Sequence, residues 1–260
     1  GEGELQSGES NCRTDLGLPG VQAELARAVL AANPNTAVVL FNGRPLVLTE
    51  LDGIAPAILE MWFPGTEGGN AVAELLFGRA VPCGKVCMSF PRAVGQIPVY
   101  HDAYRTGRPK TKPDGEFEIC ISNYLDCGNT PLYPFGYGLS YTSFAYSELV
   151  LDRQQMTEGE TLTARVKVKN TGNRTAKETV QFYLRDMVAS VVRPVQQLIG
   201  FQKIELLPGE EKTVSFEVTE PMLRFYDFGC NCISEAGEFR LSVGYADHPV
   251  LTEAFELVKS

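Results

Sequence analysis

The chain has no apolar run of the roughly 18 to 20 residues that a membrane-crossing helix needs. It also has no charged, apolar and small-residue leader at its amino end. Histidine is scarce: there are two, His101 and His248, and neither stands at a zinc-ligand spacing from a cysteine. No C-x-x-C, no G-x-x-x-x-G-K-[ST] and no G-x-G-x-x-G after a strand occurs, so no metal and no nucleotide cofactor is expected. Positive charge is in deficit, with 23 Lys and Arg against 32 Asp and Glu for a net charge of −9. That balance leaves no basic stripe for nucleic acid or for an anionic membrane surface, and it suits a neutral small molecule. Internal repeats and low-complexity linkers are missing too. The first residue is Gly1 rather than Met, as expected of a cut or processed end.

What is present is the composition of a globular protein: 260 residues, 44% hydrophobic and 21% charged, enough for two ordinary domains. Seven cysteines form three loose local pairs, Cys83 with Cys87, Cys120 with Cys127 and Cys230 with Cys232, plus Cys12. The odd number and irregular spacing favour structural or incidental thiols over a metal site. They favour a reducing, cytoplasmic compartment, with a periplasmic or secreted one left open. One sequon, Asn173-Arg174-Thr175, would matter in a eukaryotic secretory route.

From Pro19 to about Phe144 helical and extended patterns alternate, which predicts an open, mostly parallel α/β sheet. A helix is expected over Val21–Ala32, with Val21, Leu25, Ala28, Val29 and Ala32 on its buried face. Ala37–Phe41 is continuously apolar, as a central strand covered on both faces is, and it stops at Asn42-Gly43. A second strand is expected over Ala57–Phe63, a helix over Asn70–Phe77 and a further short strand over Gly84–Phe90. The stretch Pro91–Gly128 is rich in Pro, Gly and polar residues and long for a connection, so it reads as a functional or mobile surface segment.

After Phe144 the period becomes two. Leu162, Ala164, Val166 and Val168 alternate with Thr163, Arg165, Lys167 and Lys169, and further strands are expected at Thr179–Leu184, Gln197–Glu205, Lys212–Val218 and Glu238–Tyr245. About seven short strands make an immunoglobulin-like or fibronectin III-like sandwich the natural expectation. The predicted class is α/β plus all-β: a partial α/β/α sandwich with a mostly parallel sheet over residues 1–143, then a β-sandwich over residues 144–260.

Five stretches, in order, carry a resemblance. They are Ser7-Gly8-Glu9-Ser10-Asn11-Cys12-Arg13-Thr14-Asp15-Leu16 with Leu18-Pro19-Gly20, then Asn42-Gly43-Arg44-Pro45-Leu46, then Trp62 to Ala71, then Gly84-Lys85 to Ser89-Phe90-Pro91, and Tyr133 to Thr142. Together with Asn170-Thr171-Gly172, Arg193-Pro194 and Gly200-Phe201 they resemble the carboxyl-terminal half of family 3 glycoside hydrolases of the β-glucosidase type. The resemblance implies a (β/α)8 barrel, an α/β sandwich and a fibronectin III-like domain. On that resemblance the barrel, with its nucleophilic aspartate, is expected to lie outside this chain, and the α/β domain to start a strand and helix or more late.

The resemblance further implies a retaining mechanism with Glu9 as general acid/base. A retaining glycosidase needs a carboxylic acid about 5 to 5.5 Å from its nucleophile, acting first as acid and then as base. Neighbouring carboxylates and exclusion of water keep such an acid protonated. On chemistry alone Glu9 reads as a solvated loop carboxylate beside Glu2 and Glu4, and Glu4 is the nearest competitor for the role. Arg13 and Asp15 resemble supports for this loop, paired with each other or with the following helix; a solvent-exposed pair of small value is the competing reading. Trp62 to Asn70 resembles a segment facing the barrel, where Glu67 and the glycines let the backbone approach sugar, against simple capping and core packing by Trp62. Tyr124 and Asp126 resemble substrate-binding residues near the outer sugar subsites, although Asn123 replaces the usual basic residue. Phe135-Gly136-Tyr137-Gly138 is expected at the domain junction.

The expected function is hydrolysis of terminal β-D-glucosyl residues of oligosaccharides by the parent protein, with the isolated chain inactive. A β-xylosidase of the same family and a non-catalytic scaffold or sugar-binding module are the alternatives. The expected partners are a β-glucoside and the parent's barrel.

Overall fold

The computed structural model describes residues 1–110, 112, 116, 118–246 and 248–259. Its amino-terminal part opens with a hairpin of β1 (Ser7–Gly8) and β2 (Asn11–Cys12), followed by α1 (Gln22–Ala32), β3 (Ala37–Leu40), α2 (Thr49–Ile54), β4 (Ala57–Glu60) and α3 (Gly68–Leu76). β3 and β4 pair in parallel, Ala37 opposite Ala57 through Leu40 opposite Glu60. Leu40, Leu46, Leu48, Leu51 and Phe90 form the small core beneath them.

Four expectations are corrected here. The predicted buried stripe of α1 is exposed: Val21 is 69% accessible, Leu25 61% and Val29 42%, whereas Leu30 is buried. The helix has two apolar stripes, and the one through Ala26 and Leu30 packs on the core. The other borders an open cleft of about 330 Å³ beside β3, lined by Leu25, Val29 and Val38. For the same reason β3 is not covered on both faces: among the described residues it pairs with β4 alone, and Ala37 is exposed. The strand expected over Gly84–Phe90 does not form. That segment runs extended beside residues 132–137, bonded through Val86 and Phe90 (Phe90 N to Tyr133 O, 2.8 Å), but the partner contains Pro134, which has no N–H to give to a ladder. β4 ends at Glu60, three residues short of expectation, because Trp62 turns the chain with a positive φ of 51°. The short α2 was not anticipated.

The carboxyl-terminal part is a β-sandwich. Its strands are β5 (Phe144–Leu151), β6 (Gln155–Met156), β7 (Thr161–Asn170), β8 (Ala176–Asp186), β9 (Gln197–Leu206), β10 (Glu211–Thr219), β11 (Phe225–Tyr226), β12 (Cys232–Ile233), β13 (Gly237–Tyr245) and β14 (His248–Leu257). One sheet has the order β10-β7-β5, the other β6-β14-β13-β8-β9. Leu162, Ala164, Val166 and Val168 of β7 are buried between them, as their alternation predicts. Among the described residues seven strands have eight residues or more, in line with the sandwich expected. The chain is thus α/β plus all-β.

β8 is buried on both faces. Val180, Phe182 and Leu184 enter the sandwich core, while Thr179, Gln181 and Tyr183 are buried on the opposite face, where Gln181 meets the α/β part. Gln181 Nε2 donates to Gly136 O at 3.0 Å, Ala246 N–H donates to Phe135 O at 3.1 Å, and the Tyr137 ring meets Tyr245 edge-on at 5.7 Å. The Phe135–Gly138 run therefore packs the junction, as expected. A Cβ on Gly136, whose φ is +81°, would lie 2.1 Å from Gln181 Oε1.

Candidate active site

The carboxyl ends of parallel strands are where an open α/β sheet leaves backbone groups free for ligands. Here β3 runs into Asn42-Gly43-Arg44 and β4 into Glu60-Met61-Trp62, and the β1–β2 hairpin lies across this edge. Ser7 pairs with Cys12 and Gly8 with Asn11, so Glu9 and Ser10 form the two-residue tip, with Ser10 at a positive φ of 67°. Both hairpin contacts are close. A Cβ on Gly8 would sit 2.4 Å from Glu4 O, and one on Gly43 would sit 2.8 Å from Ser7 O and from the Phe63 ring. The glycines are what let the hairpin return on itself and rest on the strand end.

Glu9 is exposed at the tip, and among the described residues it has no hydrogen-bond or ion-pair partner. Glu4, its competitor, is exposed as well. The buried carboxylate of this loop is Glu2, to which the sequence analysis gives no role. Arg44 grips it with Nε to Oε2 at 3.0 Å and Nη2 to Oε1 at 2.9 Å, and Arg13 Nη1 adds a bond to Oε1 at 2.9 Å. Burial pushes the Glu2 carboxyl up, but the hydrogen bonds and charges of Arg44 and then Arg13 outweigh it, holding the group below the ordinary carboxylate value. Arg13 does meet Asp15, at 3.3 Å, and it also donates to Gly17 O at 3.1 Å. The pairing foreseen for it is thus the outer rim of a larger network.

Beneath the hairpin, Glu60 is raised by burial, offset in part by the Trp62 N–H and the Asn42 side chain. Trp62 N donates to Glu60 Oε1 at 2.9 Å and Asn42 Nδ2 to Oε2 at 3.1 Å. Asn42 Nδ2 also reaches Arg44 O at 2.9 Å, while its buried Oδ1 has no partner among the described residues. The Trp62 ring lies 5.8 Å from Phe90, the core packing weighed for it. Glu67 stands at the start of α3 and accepts from Asn70 Nδ2 at 2.6 Å.

Tyr124 and Asp126 lie on a different segment. Tyr124 N–H donates to Asn129 Oδ1 at 3.1 Å and its hydroxyl comes within 3.5 Å of Gln96 O, while Asp126 is exposed. Buried Gln96 anchors the segment, donating from Nε2 to Gly128 O, Asn129 O and Thr130 O at 3.0 to 3.2 Å. Among the described residues no hydrogen bond or ion pair joins Tyr124 or Asp126 to Glu9. Of the predicted surface stretch Pro91–Gly128, residues 111, 113–115 and 117 lie outside the described residues. Among the described residues no cluster of three or more His, Cys, Asp or Glu is arranged for a metal ion, and all seven thiols are free.

Sequence reasoning missed Glu2, Asn42, Arg44 and Glu60 as parts of this edge. The available signal was positional: Asn42 and Arg44 directly follow one apolar strand, and Glu60 closes the other.

Residues 1–141 match the glycosyl hydrolase family 3 C-terminal domain, and residues 178–246 match the fibronectin type III-like domain. Over 260 residues the chain is 46% identical to the periplasmic beta-glucosidase of Salmonella typhimurium, an alignment covering 99% of this chain and 34% of that protein. It is 43% identical over 237 residues to a beta-xylosidase of Formosa agariphila, covering 91% and 32%. The crystal structure of a beta-glucosidase from Listeria innocua in complex with isofagomine superimposes with a TM-score of 0.91 at 42% identity, covering 97% of this chain and 35% of that one. The chain thus spans about a third of the length of these relatives. With the family model covering the α/β part and relatives at this identity, the chain belongs to glycosyl hydrolase family 3, of which it carries the C-terminal α/β domain and a fibronectin III-like β-sandwich.

Proposed function

We propose that this chain is the carboxyl-terminal part of a retaining β-glucosidase, in which Glu9 is the general acid/base and the nucleophilic carboxylate comes from a (β/α)8 barrel outside these residues. The observation that carries the reading is the presentation of Glu9: an exposed carboxyl without a hydrogen-bond or ion-pair partner among the described residues, on the tip of a hairpin fastened across the carboxyl edge of the sheet. Such a group is free to meet a glycosidic oxygen brought by another domain. In the first step its proton passes to the departing oxygen while the barrel's carboxylate attacks the anomeric carbon. In the second step it takes a proton from water, which displaces the enzyme. Tyr124 and Asp126 line the outer sugar subsites in this reading, and the domains divide between residues 143 and 144, which the start of β5 at Phe144 supports.

Replacement of Glu9 by Gln in the full-length enzyme tests the assignment. The variant should lose turnover of cellobiose, retain formation of the glycosyl-enzyme from a dinitrophenyl glucoside, and yield glycosyl azide when azide is added. Full turnover of cellobiose would overturn it. The isolated chain, an acid without its nucleophile, should hydrolyse neither substrate.

A β-xylosidase is the second reading, favoured by the 43% identity to the Formosa agariphila protein. A clear preference of the full-length enzyme for nitrophenyl xyloside over nitrophenyl glucoside would establish it instead.

A further inference from the structure

Nothing in its own contacts holds Glu9 in place, so its position is set by the legs of the hairpin that carries it. One side chain joins the segment that enters the hairpin to the leg that leaves it. Arg44, in the turn after β3, binds the Glu2 carboxylate ahead of the hairpin, and behind it donates to Cys12 Sγ at 2.9 Å, to Arg13 O at 2.5 Å and to Asp15 O at 3.3 Å. Glu2 N–H in turn donates to Phe41 O at 2.9 Å, which fixes the segment entering the hairpin to the end of β3, three residues before Arg44. The Glu2 side chain is fully buried and that of Arg44 largely so, which excludes the water that would loosen an exposed pair.

We propose that Arg44, acting through Glu2, is the positioning residue for the proton donor. The proposal rests on the reading of Glu9 above and adds to it a part that no contact with substrate requires. A guanidinium is needed because its planar fork reaches a carboxylate with two donors while the remaining N–H groups reach the second leg. Lysine would keep the charge and lose that geometry. A displaced hairpin would leave Glu9 chemically intact but out of reach of the departing oxygen, and reactions that need a proton delivered there should suffer selectively.

The test compares Arg44→Lys, Glu2→Gln and Glu9→Gln in the full-length enzyme, using kcat/KM on a dinitrophenyl glucoside, whose departure needs no proton, and on cellobiose, whose departure does. Arg44→Lys and Glu2→Gln should each stay within about threefold of wild type on the first and fall by tenfold or more, on the order of a hundredfold at most, on the second. Equal losses on both substrates, or no loss on either, would make Arg44 a residue of the fold alone. If Glu9→Gln itself shows no such selectivity, the acid/base assignment fails whatever the clamp variants do. If Glu9→Gln is selective and the clamp variants are not, the clamp alone is refuted. Should Arg44→Lys fail to fold by circular dichroism, Glu2→Gln, which preserves side-chain shape, decides by the same ratio.

Discussion

Lys85 and Glu178 meet at 3.3 Å across the junction between the α/β domain and the β-sandwich. Lys85 Nζ also donates to Gly138 O at 2.9 Å, and the Tyr146 hydroxyl donates to the other oxygen of Glu178 at 2.8 Å. Burial, then the charge of Glu178, pushes the Tyr146 hydroxyl far above its ordinary range, so it remains a donor at any working pH. Replacing Glu178 with Ala leaves the Tyr146 hydroxyl without this acceptor and Lys85 with Gly138 O in place of the ion pair. The expected loss is about 1–3 kcal/mol of unfolding free energy, measured by urea denaturation of the chain. An unchanged midpoint would show that the pair adds nothing to the junction.

Gly43→Ala places a methyl group against Ser7 O and the Phe63 ring. The ring can turn aside, but the hairpin backbone has to move. About 1–3 kcal/mol of stability should be lost. In the full-length enzyme, hydrolysis of cellobiose should fall by more than that of a dinitrophenyl glucoside, because the displaced element is the one bearing Glu9.

The Glu2 carboxyl is held below its ordinary value of 4.5, burial being outweighed by Arg44 and Arg13. A depressed folded value contributes stability that is present above the unfolded value and is lost as pH falls through the folded one. Wild type should therefore exceed Glu2→Gln in stability at neutral pH, and the gap should narrow progressively as pH drops below 4.5. Thermal melts of both proteins across that range provide the check; a gap independent of pH would refute the ionised clamp.

Leu25→Ser on α1 should change the stability of the isolated chain by no more than about 0.5 kcal/mol, since the side chain is already in solvent. Leu30→Ala, five residues on and on the buried face, should cost about 2–5 kcal/mol. Chemical denaturation of the two variants separates the stripes, and equal losses would return α1 to the orientation expected from its sequence.

That helix shows how far a sequence can be read. A period of 3.6 identifies an apolar stripe, but what covers the stripe is a property of neighbours, and Val21, Leu25 and Val29 stay exposed among the described residues. The alternation of β7 was legible to the residue because both of its faces are decided locally, one by the sandwich core and one by water. Glu9 could be picked out through the motif around it, whereas Glu2 could not. Its burial depends on arginines 11 and 42 positions away, and nothing in its immediate surroundings announces them. The β1–β2 hairpin was equally hidden, since strands of two residues carry no period.

A wall shared by two rooms cannot be finished until both are built. The turn at Phe135–Tyr137 is bonded to Val86 within its own domain, and its contacts across the junction are Gln181, Tyr245 and Ala246. During synthesis those three contacts cannot form until β13 has been made, so the final packing of the Phe135–Tyr137 turn awaits the β-sandwich.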